Sequence, residues 1–235
     1  MSSAPAFARS VADAERALVS GLELRSLPLP TELARLEGRW RGAPATLRAR
    51  AYAGPRTAYA RFVELSGADL EIGNVLCLSA PEHALPILGA DLVALAKDSV
   101  VAVADLSPVP GAPPPDAFEP LAGAEAAATL PRSEPPAWAA SWLSSSALIT
   151  RAPVNATGVI AQALAGYCRR YLELARDSVP AERHVGSTRA AHAAYARAHV
   201  EGDRGLNLLG KIFAPELAER FMRSVLFPER TPAWR

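Results

Sequence analysis

The 235-residue chain is half hydrophobic, enough to enclose a sizeable core in one large domain or two small ones. Its 25 Lys and Arg balance 24 Asp and Glu to a net charge of +1, which excludes a nucleic-acid binder or a membrane-surface protein that works through overall charge. No apolar run approaches the roughly 18 residues needed to span a bilayer and the N-terminal residues carry no apolar signal core, so the sequence reads as a soluble, cytoplasmic protein with no membrane partner and no nucleic-acid partner. The two cysteines, Cys77 and Cys168, lie far apart in apolar surroundings, which suits reduced, buried thiols and is too few for an iron–sulfur centre.

In chain order, Phe7, Val11, Ala14, Leu18, Val19 and Leu22 recur at helical spacing and predict a leading helix over 6–24, stopped by Leu27-Pro28-Leu29-Pro30. Short segments at 33–40, 45–52 and 57–65 follow. In the second, Leu47, Ala49 and Ala51 alternate with Arg48, Arg50 and Tyr52; Gly-Ala-Pro and Gly-Pro turns punctuate the series, as expected of antiparallel strands. The runs 70–78 and 99–106 are apolar almost throughout, the first interrupted by Glu71 and Asn74, and read as central strands. Between them, Leu85-Pro86-Ile87-Leu88-Gly89-Ala90-Asp91-Leu92-Val93 predicts a bend with one carboxylate, Asp91, inside an apolar run. Burial disfavours the charged form of such a group, which makes Asp91 a candidate proton donor; a turn cap is the plainer reading of the same residue.

Residues 107–136 are rich in Pro and Ala and read as a surface connection around a short helix at 118–128. Trp138 and Trp142 then precede a strand at 147–151. The remainder predicts helices over 157–175, 188–200 and 214–226, with 203–213 helical between the last two. Strands first and helices afterwards is the order of an α+β domain, here expected as a single domain over 1–235.

Several chemistries are missing from the pattern. No Gly-rich phosphate loop and no G-x-S-x-G turn occurs, and the histidines His83, His184, His192 and His199 have no metal-ligand spacing, so no metal site is expected. His192 and His199 read as helix-surface residues. What remains is a set of polar residues in apolar strands or at helix junctions: Glu64, Asn74, Asp91, Arg151 and Asp203. Singly each has an ordinary explanation, as strand-edge charge, satisfied amide, turn cap, strand terminus or helix N-cap.

Two blocks change their weight. The stretch Leu85-Pro86-Ile87-Leu88-Gly89-Ala90-Asp91-Leu92-Val93 with Ala104-Asp105-Leu106-Ser107-Pro108-Val109 resembles the L-P-x-[FL]-G-x-D-L-V and A-D-L-S-P-V signature of the ferredoxin-dependent bilin reductases. A second block, Tyr195, Asp203, Leu209, Lys211 and Phe213, continuing to Ala218-Glu219-Arg220-Phe221-Met222 and Val225-Leu226-Phe227, is similar to that family's C-terminal pattern. The resemblance extends over 29–227, behind the leading helix and tail at 1–27.

That resemblance implies a three-layer α/β/α sandwich, a central antiparallel sheet flanked by helices, with a linear tetrapyrrole held between the sheet and the C-terminal helices. It implies reduction of biliverdin IXα or a close relative by successive one-electron transfers from a reduced [2Fe-2S] ferredoxin, coupled to protonation by the protein. No bound cofactor is implied, and a monomer is expected. By the same resemblance Asp91 is the central catalytic aspartate, Asp203 a second proton donor, Glu64 a third acid reached through a two-residue deletion, and Arg151 and Arg204 partners of the substrate propionates. Asn74 departs from the histidine of phycocyanobilin-type members: an amide hydrogen-bonds but cannot shuttle a proton. A non-catalytic bilin carrier on the same fold, and a reductase of an open-chain chlorophyll catabolite, remain as alternatives.

Overall fold

The computed structural model describes residues 6–95, 98–113, 127–202 and 205–228. Strands β1 (Arg25–Leu27), β2 (Arg35–Trp40), β3 (Ala43–Gly54), β4 (Thr57–Gly67), β5 (Leu70–Ser79), β6 (Ile87–Leu95), β7 (Ser99–Ser107) and β8 (Leu148–Pro153) form one antiparallel sheet. From β3 to β7 each strand pairs with its successor, and β1 and β2 share the free edge of β3, at opposite ends of that strand. From β3 to β7 the meander follows from the short connections between the strands, which leave neighbours in sequence no route except antiparallel pairing; β8 returns beside β7 after the long segment 108–147.

Helices cover both faces. Helix α1 (Ala6–Gly21) and helix α3 (Thr157–Asp177) pack on one side; α4 (Val185–Gly202), α5 (Gly205–Phe213) and α6 (Pro215–Phe221) cover the other, and the short α2 (Thr31–Ala34) precedes β2. The result is a three-layer sandwich with two cores. Phe7, Val11 and Leu18 of α1 meet Phe62, Val75 and Cys77 on one face, whereas Tyr59, Val63, Leu65 and Leu76 meet Leu209, Phe221 and Val225 on the other. Alternation along β4 decides this: even-numbered residues face α1 and odd-numbered ones face the C-terminal helices. Removing Phe62, wholly enclosed, would cost about 3–5 kcal/mol.

The helix ends are tied to the sheet. Helix α1 has no acidic residue in its first turn. Glu71 of β5 supplies that charge from outside, accepting the backbone N–H groups of Phe7 and of Ala8, the latter at 2.9 Å. At the far end α6 widens into a π-turn, Met222–Leu226, whose last carbonyls accept from the sheet: Val225 O from the Tyr59 hydroxyl at 2.8 Å and Leu226 O from Arg61 Nε at 2.6 Å.

Several expectations need correction. Asp91 does not sit in a bend; Pro86 lies just outside β6, and Gly89 and Asp91 are inside it, because pairing on both sides holds the glycine extended. Residues 33–34, expected as the start of a strand, belong to the helical turn Thr31–Ala34 behind Pro30, and β1 occupies Arg25–Leu27, between the expected leading helix and the expected break and running into its first residue. The single helix expected over 214–226 is divided into α6 and the π-turn. Most of the short helix expected at 118–128 lies outside the described residues. Cys77 and Cys168 are free thiols, both buried, and burial pushes both thiol pKa values up. Among the described residues no helix is long and apolar enough to cross a membrane.

Candidate functional site

A cavity of about 720 Å³ lies between the sheet and the C-terminal helices. Its floor is the odd–even pattern of four neighbouring strands: Arg61 of β4, Asn74 of β5, Gly89 and Asp91 of β6, and Asp105 of β7. Register places Asn74 opposite Asp91, and Gly89 between Leu76 and Asp105. Trp138 and Trp142 from the 136–143 segment, Tyr195 and His199 from α4, and Phe227 after the π-turn line the other side. Two glycines allow this closeness. A Cβ at Gly89 would lie 3.0 Å from the Tyr195 hydroxyl oxygen, and one at Gly202 only 2.6 Å from the Trp138 ring.

Across the floor runs a directed row of hydrogen bonds. Arg61, 1% exposed, donates from Nη1 to Asn74 Oδ1, and Asn74 Nδ2 donates to Asp91 Oδ1 at 3.2 Å. A guanidinium has only donors, so the side-chain oxygen of Asn74 must face Arg61 and its NH2 must face Asp91. The amide is therefore not free to choose its orientation. Arg61 is itself held by Leu226 O and lies over the Phe227 ring, 5.1 Å from its centroid. Asp91 is half-buried and keeps access to the cavity.

Asp105, 2% exposed, ties the aromatic wall to the sheet. It accepts from the Ser107 hydroxyl at 2.8 Å, the Ser144 N–H at 3.0 Å and the Ser144 hydroxyl at 2.5 Å. Burial raises its pKa, and these hydrogen bonds pull against the rise. The segment so anchored carries Trp142 and Leu143 over the cavity. His199 is held between rings, and its Nδ1 lies 2.9 Å from the Tyr195 carbonyl oxygen. Burial lowers its pKa to about 4; the Tyr195 carbonyl works against this and Arg61 adds to it.

The family model for ferredoxin-dependent bilin reductases matches residues 11–228, which takes in the whole sheet and every described wall of the cavity. The chain belongs to the ferredoxin-dependent bilin reductase family. Among curated relatives, it is 27% identical over 212 residues to phycocyanobilin:ferredoxin oxidoreductase of Gloeobacter violaceus, a match covering 88% of this chain and 83% of that protein. It is 26% identical over 169 residues to the enzyme of the same name from Prochlorococcus marinus strain MIT 9303, covering 71% of this chain. That match spans 64% of the Prochlorococcus protein. Tomato phytochromobilin synthase, solved in complex with biliverdin, shares the fold with a TM-score of 0.84 at 17% identity, covering 97% of this chain and 84% of its own.

For this bilin reductase family member, the structure brings Asp91 and Asn74 together on the cavity floor. Glu64 is elsewhere, a correction that parity explains: it is an even-numbered residue of β4, so it points to the α1 face and pairs there with Arg50. Arg50 also holds Glu15 of α1 at 2.7 Å; burial lowers its pKa, but the bonds to both carboxylates outweigh this and raise it. Arg151 is exposed on β8 at the end of the sheet, beside Val101, two residues along from the row containing Asp91, Val103 and Ile149. Asp203 and Arg204 lie outside the described residues. Among the described residues no group of three or more His, Cys, Asp or Glu could hold a metal ion.

Sequence reasoning gave no role to Arg61 and Asp105, and the reading of His199 as a helix-surface residue is corrected by its place in the cavity wall. For the first two a signal was present, since each is a charge flanked by apolar neighbours, Ala60 and Phe62 about Arg61 and Ala104 and Leu106 about Asp105, as Asp91 is. His199 offered none: α4 has Ala on every side, and its apolar stripe is too weak to show which face is covered.

Proposed function

We propose that the chain is an oxidoreductase that reduces a linear tetrapyrrole of the biliverdin type, taking electrons one at a time from a reduced [2Fe-2S] ferredoxin. It works as a cytoplasmic monomer without a bound metal or organic cofactor. The observation that carries this reading is the position of Asp91, in the sequence block that resembles the family's signature, on the floor of a cavity whose size is that of a whole organic ligand. Reduction of one double bond consumes two electrons and two protons. Ferredoxin supplies the electrons; Asp91 hands a proton to the ring system and is recharged from solvent through the open side of the cavity.

Asn74 orients rather than transfers. Its NH2, aimed at Asp91 by Arg61, holds the carboxylate against the substrate. The aromatic wall of Trp138, Trp142, Tyr195 and Phe227 suits an extended conjugated ligand. Asp203 serves as the second proton donor, and Arg151 and Arg204 pair with propionates that project to solvent, roles that rest on the family resemblance. Glu64, on the opposite face, is not included.

Anaerobic incubation of the chain with biliverdin, ferredoxin, ferredoxin reductase and NADPH tests the reading. A progressive change in the bilin spectrum, with a reduced bilin identified by chromatography, is the expected result. A shifted spectrum on binding with no turnover would instead make the chain a carrier, and turnover confined to an open-chain chlorophyll catabolite would reassign the substrate.

A further inference from the structure

His199 has two ring nitrogens in different circumstances. Nδ1 lies 2.9 Å from the carbonyl oxygen of Tyr195. A carbonyl offers only lone pairs, so Nδ1 carries the hydrogen, and in the neutral ring Nε2 keeps an open lone pair. The ring cannot readily turn: Tyr195 lies 3.9 Å away at 32°, Phe227 4.8 Å away at 32°, and Trp138 meets it edge-on at 4.9 Å. Among the described residues the hydrogen bond to Tyr195 is the one His199 makes, and the residue lines the cavity. The other charged or titratable groups lining the cavity are Arg61, Asp91 and Asp105 on its floor and Tyr195 on the same wall as His199. With the pKa lowered to about 4 by burial and by Arg61, the ring is neutral at physiological pH.

A neutral acceptor facing a cavity calls for a donor on the ligand. Linear tetrapyrroles carry such donors as pyrrole and lactam N–H groups. We infer that His199 Nε2 is a substrate contact, accepting a hydrogen bond from a ring N–H of the bound tetrapyrrole on the side away from Asp91. This rests on the bilin-binding part of the function proposed above.

Two variants of the full chain separate the acceptor from the ring. His199→Phe keeps the aromatic stack and removes the lone pair, and His199→Gln returns an acceptor near the position of Nε2. Biliverdin titrations followed by absorbance should show about three- to tenfold weaker binding and an altered long-wavelength band for His199→Phe, largely restored in His199→Gln. In the wild-type chain, side-chain 15N shifts should show Nδ1 protonated, with the Nε2 resonance moving when biliverdin is added. An Nε2 shift indifferent to biliverdin, or a folded His199→Phe variant with unchanged affinity and spectrum, overturns the contact while leaving bilin binding intact. Failure of the wild-type chain to bind biliverdin at all overturns the functional reading and this contact together.

Discussion

Replacing Arg61 by Met tests the hydrogen-bond row beneath the cavity. Methionine keeps the apolar stem but removes the donation to Leu226 O at 2.6 Å, the donation to Asn74 Oδ1, and the cation over Phe227. Each hydrogen bond from a charged donor contributes about 1.5–3 kcal/mol, while removing a buried guanidinium recovers part of its desolvation cost. The expected net loss is about 2–4 kcal/mol, which for a chain of this size lowers Tm by roughly 5–15 °C. Thermal unfolding followed by circular dichroism measures it. Function should respond as well: without Arg61 the Asn74 amide can turn its oxygen toward Asp91, so kcat falls more than biliverdin affinity. Arg61→Lys keeps the charge but cannot fork to both acceptors, and belongs between the two. A Met variant with wild-type Tm and wild-type kcat would refute the reasoning.

Asp91→Asn should still bind biliverdin but reduce it at least about 100-fold more slowly, the usual contribution of a positioned acid; near-normal turnover would remove Asp91 from its assigned role. Glu64→Gln should leave steady-state turnover unchanged, because Glu64 pairs with Arg50 on the opposite face; it should cost no more than about 1 kcal/mol in a denaturant titration. Stability should fall on acidification through the window from 6.5 to about 4. His192 and His199 stay neutral there in the folded state while the unfolded chain takes up protons, giving up to about 1.4 kcal/mol per pH unit for each. Asp105, whose folded pKa is raised above 3.8, opposes this: its contribution is lost as pH rises through the folded value. Urea titrations at pH 7, 6, 5 and 4.5 would show the trend, and stability that rises on acidification across these points would refute it.

The fold was legible where periodicity was strong. The alternation of Leu47, Ala49 and Ala51 with Arg48 and Arg50 marked β3, and the largely apolar runs at 70–78 and 99–106 marked central strands. Strand β1 is three residues long and α2 is four, too short for any period to register. The π-turn after α6 depends on Tyr59 and Arg61 meeting its carbonyls from far away in sequence. Proline and glycine around Asp91 argued for a bend; two paired neighbours decided for a strand.

For the site, what the sequence by itself determined was a short set of polar residues in apolar runs, Asp91 and Asn74 among them, each with an ordinary explanation; the resemblance of two sequence blocks to a known family was what joined them in one chemistry. Tertiary structure decided the rest. Strand parity sent Glu64 to one face and Arg61, three residues earlier, to the other, and no local pattern says which of the two faces holds a cavity. The 136–143 segment acquires its place through Ser144 on Asp105, and His199 becomes a cavity wall only because α4 lies across the sheet. A hydrogen bond between residues remote in sequence forms only when packing has already brought their strands and helices together, and that is why the parts played by Arg61 and Asp105 appear only in three dimensions.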